Sequence, residues 1–277
     1  MSFIKDIPFP DYCKMEGKNA SALKKIPKSM KHLKHYLDNG MADSKALRRG
    51  RLIHSWLLDH DTRLAGIATY KGITSGKGSK LAKKAFDNEN VGKTIVTIEE
   101  LKELDAMYES VMSESAFATR IEKADTEVVG VWENKAGVGK CRYDMVDQND
   151  FCDVKSIGDI SIPNLTRQFY KLGYDIQFGW YADCFFHEFG RMPTAFVIWV
   201  ESVPPFDVCI DQVCPNILEK GRERALELAM KWKVAEVTGI WEGVNPYGVR
   251  LLDEPAWMGG AEKEKDVSTG EMKAEEL

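Results

Sequence analysis

Apolar residues in the first part of the chain recur at the three- and four-residue spacing of helices. Residues 21–38 are predicted to form a basic amphipathic helix, whose apolar stripe consists of Leu23, Ile26, Met30, Leu33 and Leu37. A second helix is predicted to run from a cap at Asp43 or Ser44 to Leu58. This part of the chain is therefore predicted to be mainly helical.

A third helix is predicted where Thr97 and Glu100 have the spacing of a capping box. The apolar repeat that follows extends this helix to about Ser113. Residues 71–96, between the second and third helices, are rich in glycine and lysine and predict a mobile connection.

Beyond Asp125 the apolar residues form short runs, which are typical of strands. The segment EVVGVW predicts one strand, followed by a turn near Gly137–Gly139. CRYDMV and FCDVKS predict two further strands, and the connection DQND between them indicates a hairpin.

The last part of the chain alternates again between helix and strand patterns. A long helix is predicted over residues 164–189 and ended by Gly190. TAFVIWV predicts a buried strand, VPPFDVCI an edge strand, and residues 216–235 a final amphipathic helix. This order of elements predicts a β-sheet flanked by helices, of the α/β or α+β class.

Length and composition favour a globular protein. The 277 residues are predicted to form one domain over residues 1–260, with a mainly helical part at 19–120 and a sheet core at 125–257. Residues 261–277 predict a disordered acidic tail. The sequence contains neither an apolar run of about 18 residues nor a signal-peptide pattern, so a cytoplasmic protein is expected.

Charge is distributed unevenly along the chain. A net charge of −5 argues against a protein that coats nucleic acid indiscriminately, but it does not exclude a local basic channel. Basic residues concentrate at 24–51 and 71–84, either as solvated helix faces or as contacts to phosphates. The six cysteines form no CxxC pair, which argues against a zinc ribbon.

Candidate chemistry lies on the two strands of the predicted hairpin. Alternate residues of a strand share a face, so Asp153 and Lys155 lie together on one strand, and Arg142 and Asp144 on the other. Pairing of the strands would bring the two aspartates within reach of one cation such as Mg²⁺. An Asp-x-Lys sequence is nevertheless common, and by itself it is also explained by a surface ion pair.

Four further polar residues indicate a functional site only when they are considered as a set. His54 lies on the predicted second helix, Glu127 begins a predicted strand, and Gln177 and Tyr181 share one helix face. On their own, His54, Gln177 and Tyr181 are better explained by a packing or surface role.

In this order and spacing, the residues resemble the PD-(D/E)xK nuclease superfamily. The resemblance is to the RecB-like branch and, within it, to RecE-type exonucleases (exonuclease VIII) of phages and prophages. It covers roughly residues 19–257 and rests on five elements: Gly50-x-x-x-His54, Glu127, Asp144, Asp153-Val154-Lys155 and Gln177-x-x-x-Tyr181. The proline of the superfamily's name is absent, and Tyr143 precedes Asp144.

The resemblance implies a role for each matched residue. The metal would be bound by His54, Asp144, Asp153 and the backbone carbonyl of Val154. Lys155 would position and activate the attacking water. Glu127 would assist with a second cation or its waters, and Gln177 and Tyr181 would line the site and contact the DNA backbone or the lysine.

The function implied is a Mg²⁺-dependent exodeoxyribonuclease, also active with Mn²⁺, that degrades one strand of duplex DNA from a 5′ end. The 3′ overhang would serve a single-strand annealing partner in recombination, and the enzyme would form a homo-oligomeric ring in a phage- or prophage-carrying bacterium. Two alternatives remain open: a structure-specific endonuclease of the same fold, and a catalytically silent domain that only binds DNA or a partner.

Overall fold

The computed structural model describes residues 2–41, 44–58, 66–72, 77–246, 248–249 and 251–252. In chain order the strands are β1 (Ser2–Ile4), β2 (Ile67–Tyr70), β3 (Thr94–Thr97), β4 (Asp125–Asn134), β5 (Gly137–Val146), β6 (Asp150–Ile157), β7 (Thr194–Glu201) and β8 (Val208–Gln212). The helices are α1 (Phe9–Lys14), α2 (Ala20–Leu23), α3 (Met30–Asn39), α4 (Lys45–Leu58), α5 (Lys77–Glu89), α6 (Ile98–Ser113), α7 (Ser115–Lys123), α8 (Ile162–Lys171), α9 (Tyr174–Phe189) and α10 (Pro215–Thr238).

A six-stranded sheet with the order β1-β4-β5-β6-β7-β8 forms the centre of the fold. Its neighbours are antiparallel except β6 and β7, which are parallel, so the sheet is mixed. Strands β2 and β3 form a separate parallel pair. A mixed sheet flanked by helices confirms the predicted fold class.

Two hydrophobic cores cover the two faces of the sheet. On one face, α9 packs against β4 and β5, and α2, α8 and α10 pack around it. Trp132 and Trp180 are fully buried in this core. A Cβ atom at Gly179 of α9 would lie 2.0 Å from the Gly221 carbonyl carbon, so only glycine allows α9 and α10 to approach this closely.

On the opposite face, α4, α6 and α7 bury apolar residues against β6 and β7. Cys152 and Val154 of β6 point into this core, as their alternation with Asp153 and Lys155 predicts. The predicted capping box at the start of α6 is confirmed: the Glu100 amide donates to the Thr97 hydroxyl, and the Thr97 amide to the Glu100 carboxylate.

Two predicted helices are each divided in the structure. The helix predicted over residues 21–38 is wrong, because Pro27 lies in a non-helical turn and Ser29 caps a new helix, α3. The helix predicted over residues 164–189 is interrupted at Gly173, whose φ of 68° is left-handed. In both cases the apolar repeat continues across the break, and it therefore conceals the end of a helix.

The predicted connection over residues 71–96 is also wrong, because it contains α5 and most of β3. Residues 73–76 of this segment lie outside the described residues.

The turn predicted near Gly137–Gly139 is shifted, since both glycines belong to β5. Gly139 lies beneath two tryptophans, and its Cβ atom would approach the Trp132 ring to 2.8 Å.

The ends of the chain add elements that the apolar pattern did not predict. Strand β1 extends the sheet beside β4, and α1 follows it. The predicted acidic tail at 261–277 lies outside the described residues. Every helix in the described part of the chain is too short or too polar to cross a lipid bilayer.

Candidate active site

The two central aspartates lie where β5 and β6 separate. The antiparallel pairing of these strands consists of Met145 with Cys152 and Val146 with Phe151. Beyond these two pairs, the Val154 amide of β6 donates its hydrogen bond to the Asp144 carboxylate of β5, at 2.6 Å, instead of to a backbone carbonyl. The end of the strand pairing therefore brings the carboxylate of β5 to the backbone of β6.

Three potential metal ligands meet at this point. His54 of α4, Glu127 of β4 and Asp144 of β5 each offer one ligand atom, and these atoms lie within 4.8 Å of one another. His54 Nδ1 is 3.3 Å from Asp144 Oδ1. We refer to these three residues as the ligand cluster.

Glu127 reaches the ligand cluster through an unusual backbone conformation. Its φ of 56° lies in the left-handed region, which a residue with a side chain adopts only at a cost. The neighbouring pairs Thr126–Met145 and Val128–Tyr143 keep the ladder of β4 and β5 in register on either side. Strained backbone of this kind is concentrated at functional sites.

Electrostatics within the ligand cluster favour charged groups. Burial disfavours the imidazolium of His54, but the Asp144 carboxylate outweighs burial and raises the pKa of His54 above its ordinary value. Burial likewise disfavours the Asp144 carboxylate, yet His54 and Lys155 lower the pKa of Asp144. Glu127 Oε2 lies 2.5 Å from an Arg142 guanidinium nitrogen.

The donor set of the ligand cluster fits a divalent cation. Carboxylate oxygens suit Mg²⁺ and Mn²⁺, and an imidazole nitrogen is an accepted ligand for many divalent metals. The Asp144 side chain is 11% exposed, whereas the His54 and Glu127 side chains are 28% and 23% exposed, so solvent reaches the cluster at His54 and Glu127. A cation could enter from that side.

A second group of polar residues surrounds Asp153, which is 2% exposed. Its Oδ1 accepts a hydrogen bond from Gln177 Nε2 of α9 at 2.7 Å, and its Oδ2 pairs with the Lys155 ammonium. Gln177 in turn accepts a hydrogen bond from Lys24 Nζ at 2.8 Å. We refer to Lys24, Gln177, Asp153 and Lys155 as the lysine network.

Burial and neighbouring charge compete within the lysine network. Burial raises the pKa of Asp153, with a further contribution from Asp144, although Lys155 acts in the opposite direction. Burial disfavours the Lys155 ammonium, but Asp153 prevails and holds the pKa of Lys155 above its usual range. The Asp153 carboxylate therefore favours the ammonium form of Lys155.

The structure brings the sequence-predicted residues together in a partly different grouping. Glu127, which was expected to assist with a second cation or its waters, lies in the ligand cluster with His54 and Asp144. Asp153, expected beside Asp144 as a ligand, is outside that cluster and engages Lys155 and Gln177. The individual roles of these residues stay predictions.

The remaining two predicted residues lie close by. Val154 contributes its amide to Asp144, and a metal contact by its carbonyl stays a prediction. Tyr181 packs its ring 5.2 Å from that of Tyr143, and its carbonyl accepts a hydrogen bond from the Tyr143 hydroxyl at 2.7 Å. Tyr143, which replaces the proline of the superfamily pattern, thus anchors β5 to α9.

Sequence reasoning missed the contributions of Lys24 and Tyr174. The Lys24 and Lys155 ammonium nitrogens lie 5.2 and 5.0 Å from the centroid of the Tyr174 ring. Lys24 is one of many basic residues in the segment 24–51, and its spacing does not distinguish it from the others. Two other members of that segment, Arg48 and Arg49, pair with Glu100 and Glu103 on α6.

Comparison with solved structures supports the fold. A structure described as "Putative exonuclease" from Eubacterium rectale matches with a TM-score of 0.57 at 16% identity, covering 90% of this chain and 96% of that one. A phage related exonuclease from Haemophilus somnus 129PT matches with a TM-score of 0.35 at 17% identity, over 81% and 96% of the two chains. The first likeness shows a shared fold.

No curated protein matches the chain significantly. The family model described as "PDDEXK-like domain of unknown function (DUF3799)" matches residues 19–239, which include the ligand cluster and the lysine network. The chain therefore belongs to this family of PDDEXK-like domains.

Proposed function

We propose that the protein is a metal-dependent DNA nuclease that hydrolyses phosphodiester bonds. The observation that carries this proposal is the ligand cluster of His54, Glu127 and Asp144 beside the Asp153–Lys155 pair. A cation site next to a largely buried lysine can stabilise the charge that develops during phosphodiester hydrolysis. Membership in a PDDEXK-like family supports the same conclusion.

Asp144 and Glu127 would hold the cation through carboxylate oxygens. His54 would bind through a ring nitrogen of its neutral imidazole, so the cation would take the place of the proton that Asp144 favours. Asp153 and the Val154 carbonyl would complete the set from β6, as the sequence resemblance implies. A bound Mg²⁺ or Mn²⁺ supplies positive charge to the phosphate oxygens and makes water more acidic.

Lys155 would orient the attacking water and offset the negative charge that develops on the phosphate. The water oxygen forms the new bond to phosphorus as the ester P–O bond breaks. The water loses one proton to solvent, and the departing oxygen takes up one proton from solvent, so the step is balanced. Gln177 holds Asp153, and thereby the position of Lys155. Tyr181 would line the site beside Gln177, from the same helix.

The finer form of this proposal is an exonuclease that acts on duplex ends, from 5′ to 3′, and leaves 3′ overhangs. Its support is the resemblance of the motifs to RecE-type exonucleases, together with the name of the Eubacterium rectale protein. A ring of subunits, an annealing partner and a phage or prophage origin belong to the same proposal.

The test uses linear duplex DNA labelled at either the 5′ or the 3′ end, beside a covalently closed circle. Each substrate is incubated with Mg²⁺, with Mn²⁺ and with EDTA. We expect metal-dependent loss of the linear DNA alone, and release of the 5′ label first. Lys155→Ala should be inactive, and Lys171→Ala, an exposed lysine at the end of α8, should match the wild type.

Other outcomes would change the proposal in distinct ways. Cleavage of the closed circle would identify an endonuclease. Early release of the 3′ label would reverse the polarity. DNA binding without cleavage in any of these conditions would identify a catalytically silent domain and overturn the proposed chemistry.

A further inference from the structure

Lys24 lies far from the hairpin in sequence but reaches the centre of the site. It follows α2, and its Nζ donates to Gln177 Oε1 at 2.8 Å. The stem of Lys24 packs against Gly173, where a Cβ atom would lie 3.0 Å from the lysine Cγ. The break between α8 and α9 at Gly173 thus makes room for this lysine.

The contact with Lys24 determines which way the Gln177 amide points. A lysine ammonium has N–H donors and no acceptor, so the oxygen of the amide must face it. The amide nitrogen then faces Asp153 Oδ1, to which it donates at 2.7 Å. If the amide were flipped, its N–H donors would face the N–H donors of Lys24. Its oxygen would face the carboxylate oxygen of Asp153, and neither hydrogen bond could form.

The oriented amide holds Asp153, and Asp153 holds Lys155. Asp153 has one carboxylate oxygen on Gln177 and the other on Lys155, so rotation of the carboxylate would disturb both contacts. The Tyr174 ring lies beside both ammonium groups, within cation–π distance of each. Side chains that do chemistry need this kind of support, because small misplacements are costly.

We propose that Lys24 is a positioning residue of the active site, which acts through Gln177 to hold Asp153 and Lys155 in the arrangement that cleavage requires. This inference rests on the proposed nuclease function. It adds to the site a residue from the amino-terminal helical part of the chain, 120 or more positions away from the other members of the lysine network.

The inference does not depend on whether Lys24 is charged. Burial and repulsion by Lys155 lower the pKa of Lys24 to about 7. A neutral amine still has N–H donors, and Asp153 still requires a donor from Gln177. The amide orientation shown in the structure therefore satisfies both partners on either side of that pKa.

The first experiment compares cleavage of linear duplex DNA by the wild type, Lys24→Met, Gln177→Met and the double variant, at saturating Mg²⁺. We expect Lys24→Met to lower kcat by roughly ten- to a hundredfold while KM changes less than about threefold. The kcat of the double variant should be about equal to that of the slower single variant, because both substitutions interrupt the same chain of contacts.

The matched control is Lys25→Met. Lys25 is the next residue, and its Nζ lies over the Tyr36 ring at 5.5 Å rather than at the lysine network. Its removal costs the same charge in the same segment, and kcat should stay near that of the wild type. If Lys24→Met does not fold, Lys24→Gln carries the same expectation, because its amide cannot enforce the orientation of Gln177.

A second experiment measures the urea midpoint of unfolding of the same variants without metal, in EDTA. We expect the double variant to shift the midpoint by less than the sum of the single shifts, because Lys24 and Gln177 contact each other. This readout tests the contact independently of catalysis.

Several results would overturn the inference. These are an unchanged kcat in Lys24→Met, an effect on KM alone, multiplying losses in the double variant, or an equal loss in Lys25→Met. An inactive wild type would instead overturn the proposed function, and with it the positioning role of Lys24. Additive midpoint shifts would then also reject the contact itself.

Discussion

The two halves of the site use similar polar residues for different purposes. In the ligand cluster, two carboxylates and a histidine from three separate elements converge with their ligand atoms within 4.8 Å. In the lysine network, the single carboxylate of Asp153 lies between the Gln177 amide and the Lys155 ammonium. The ligand cluster is therefore suited to bind a metal cation. In the lysine network the carboxylate is already paired with lysine, and this group is suited to contact a phosphate and a water.

The largest effect should follow from breaking the ligand cluster. Asp144→Asn removes the charge that faces His54 and replaces the carboxylate acceptor of the Val154 amide with a neutral one. We expect the cleavage rate to fall by roughly a thousandfold or more, since metal charge compensation contributes several kcal/mol. Steady-state cleavage of linear duplex DNA measures this loss.

The matched control is Asp159→Asn, because Asp159 is an exposed aspartate in the loop after β6. It should leave the rate unchanged. Equal losses in Asp144→Asn and Asp159→Asn, or a fully active Asp144→Asn, would contradict the assignment of the ligand cluster.

The next largest effect should come from the lysine network. Lys155→Met should lower the cleavage rate by about a hundredfold or more, because the attacking water and the developing phosphate charge lose their cation. It should also lower the free energy of unfolding, since the buried Asp153 carboxylate loses its partner. Cleavage assays and urea denaturation measure the two effects.

Adding Asp153→Asn to Lys155→Met removes the orphaned charge and should restore part of the lost stability without restoring cleavage. A double variant less stable than Lys155→Met would show that the Asp153 carboxylate is not charged in the absence of the lysine. Recovery of cleavage in the double variant would contradict the role given to Lys155.

A smaller effect distinguishes Glu127 from the other ligands. Glu127→Gln keeps the shape of the side chain and its left-handed backbone but removes a charge from the ligand cluster. We expect the affinity for Mn²⁺ to fall by about tenfold, as for other residues that support a metal. Calorimetric titration measures the affinity. An unchanged affinity would show that Glu127 does not contribute to metal binding and only pairs with Arg142.

The smallest effect concerns the helix that carries His54. Burial disfavours the Glu100 carboxylate, but hydrogen bonds from Arg48 of α4 and the Thr97 amide lower the pKa of Glu100. A carboxyl group whose pKa is lower in the folded state stabilises the fold above its unfolded pKa. That contribution disappears as the pH falls through the folded pKa.

Glu100→Gln should therefore lower the free energy of unfolding at pH 7 by about 0.5 kcal/mol, a modest value because the pair is partly exposed. The difference from the wild type should shrink as the pH falls below about 4.5. Urea denaturation across this range measures it. A difference that stays constant with pH would show that the charge of Glu100 is not involved.

Sequence patterns predicted the sheet and the hairpin because these depend on local alternation and turn residues. The same patterns failed at Pro27 and Gly173, where a local break interrupts an apolar repeat that tertiary packing continues. The short strand β3 was missed because four residues carry too little periodicity to distinguish a strand from a connection.

The candidate site was predictable in composition but not in its internal pairing. His54, Glu127, Asp144, Asp153 and Lys155 were identified from their order and spacing. Spacing does not show that Glu127 itself adopts the left-handed conformation, since a positive φ leaves no trace in the sequence at a non-glycine position. Nor does it distinguish Lys24 from the lysines around it.

The most direct test of the contrast between the two halves is a calorimetric titration of Mn²⁺ into the metal-free wild type, Asp144→Asn and Lys155→Met. If the ligand cluster binds the cation, the wild type and Lys155→Met should bind Mn²⁺, and Asp144→Asn should lose most of its affinity. Undiminished binding by Asp144→Asn, or loss of binding in the folded Lys155→Met protein, would contradict the division of the site.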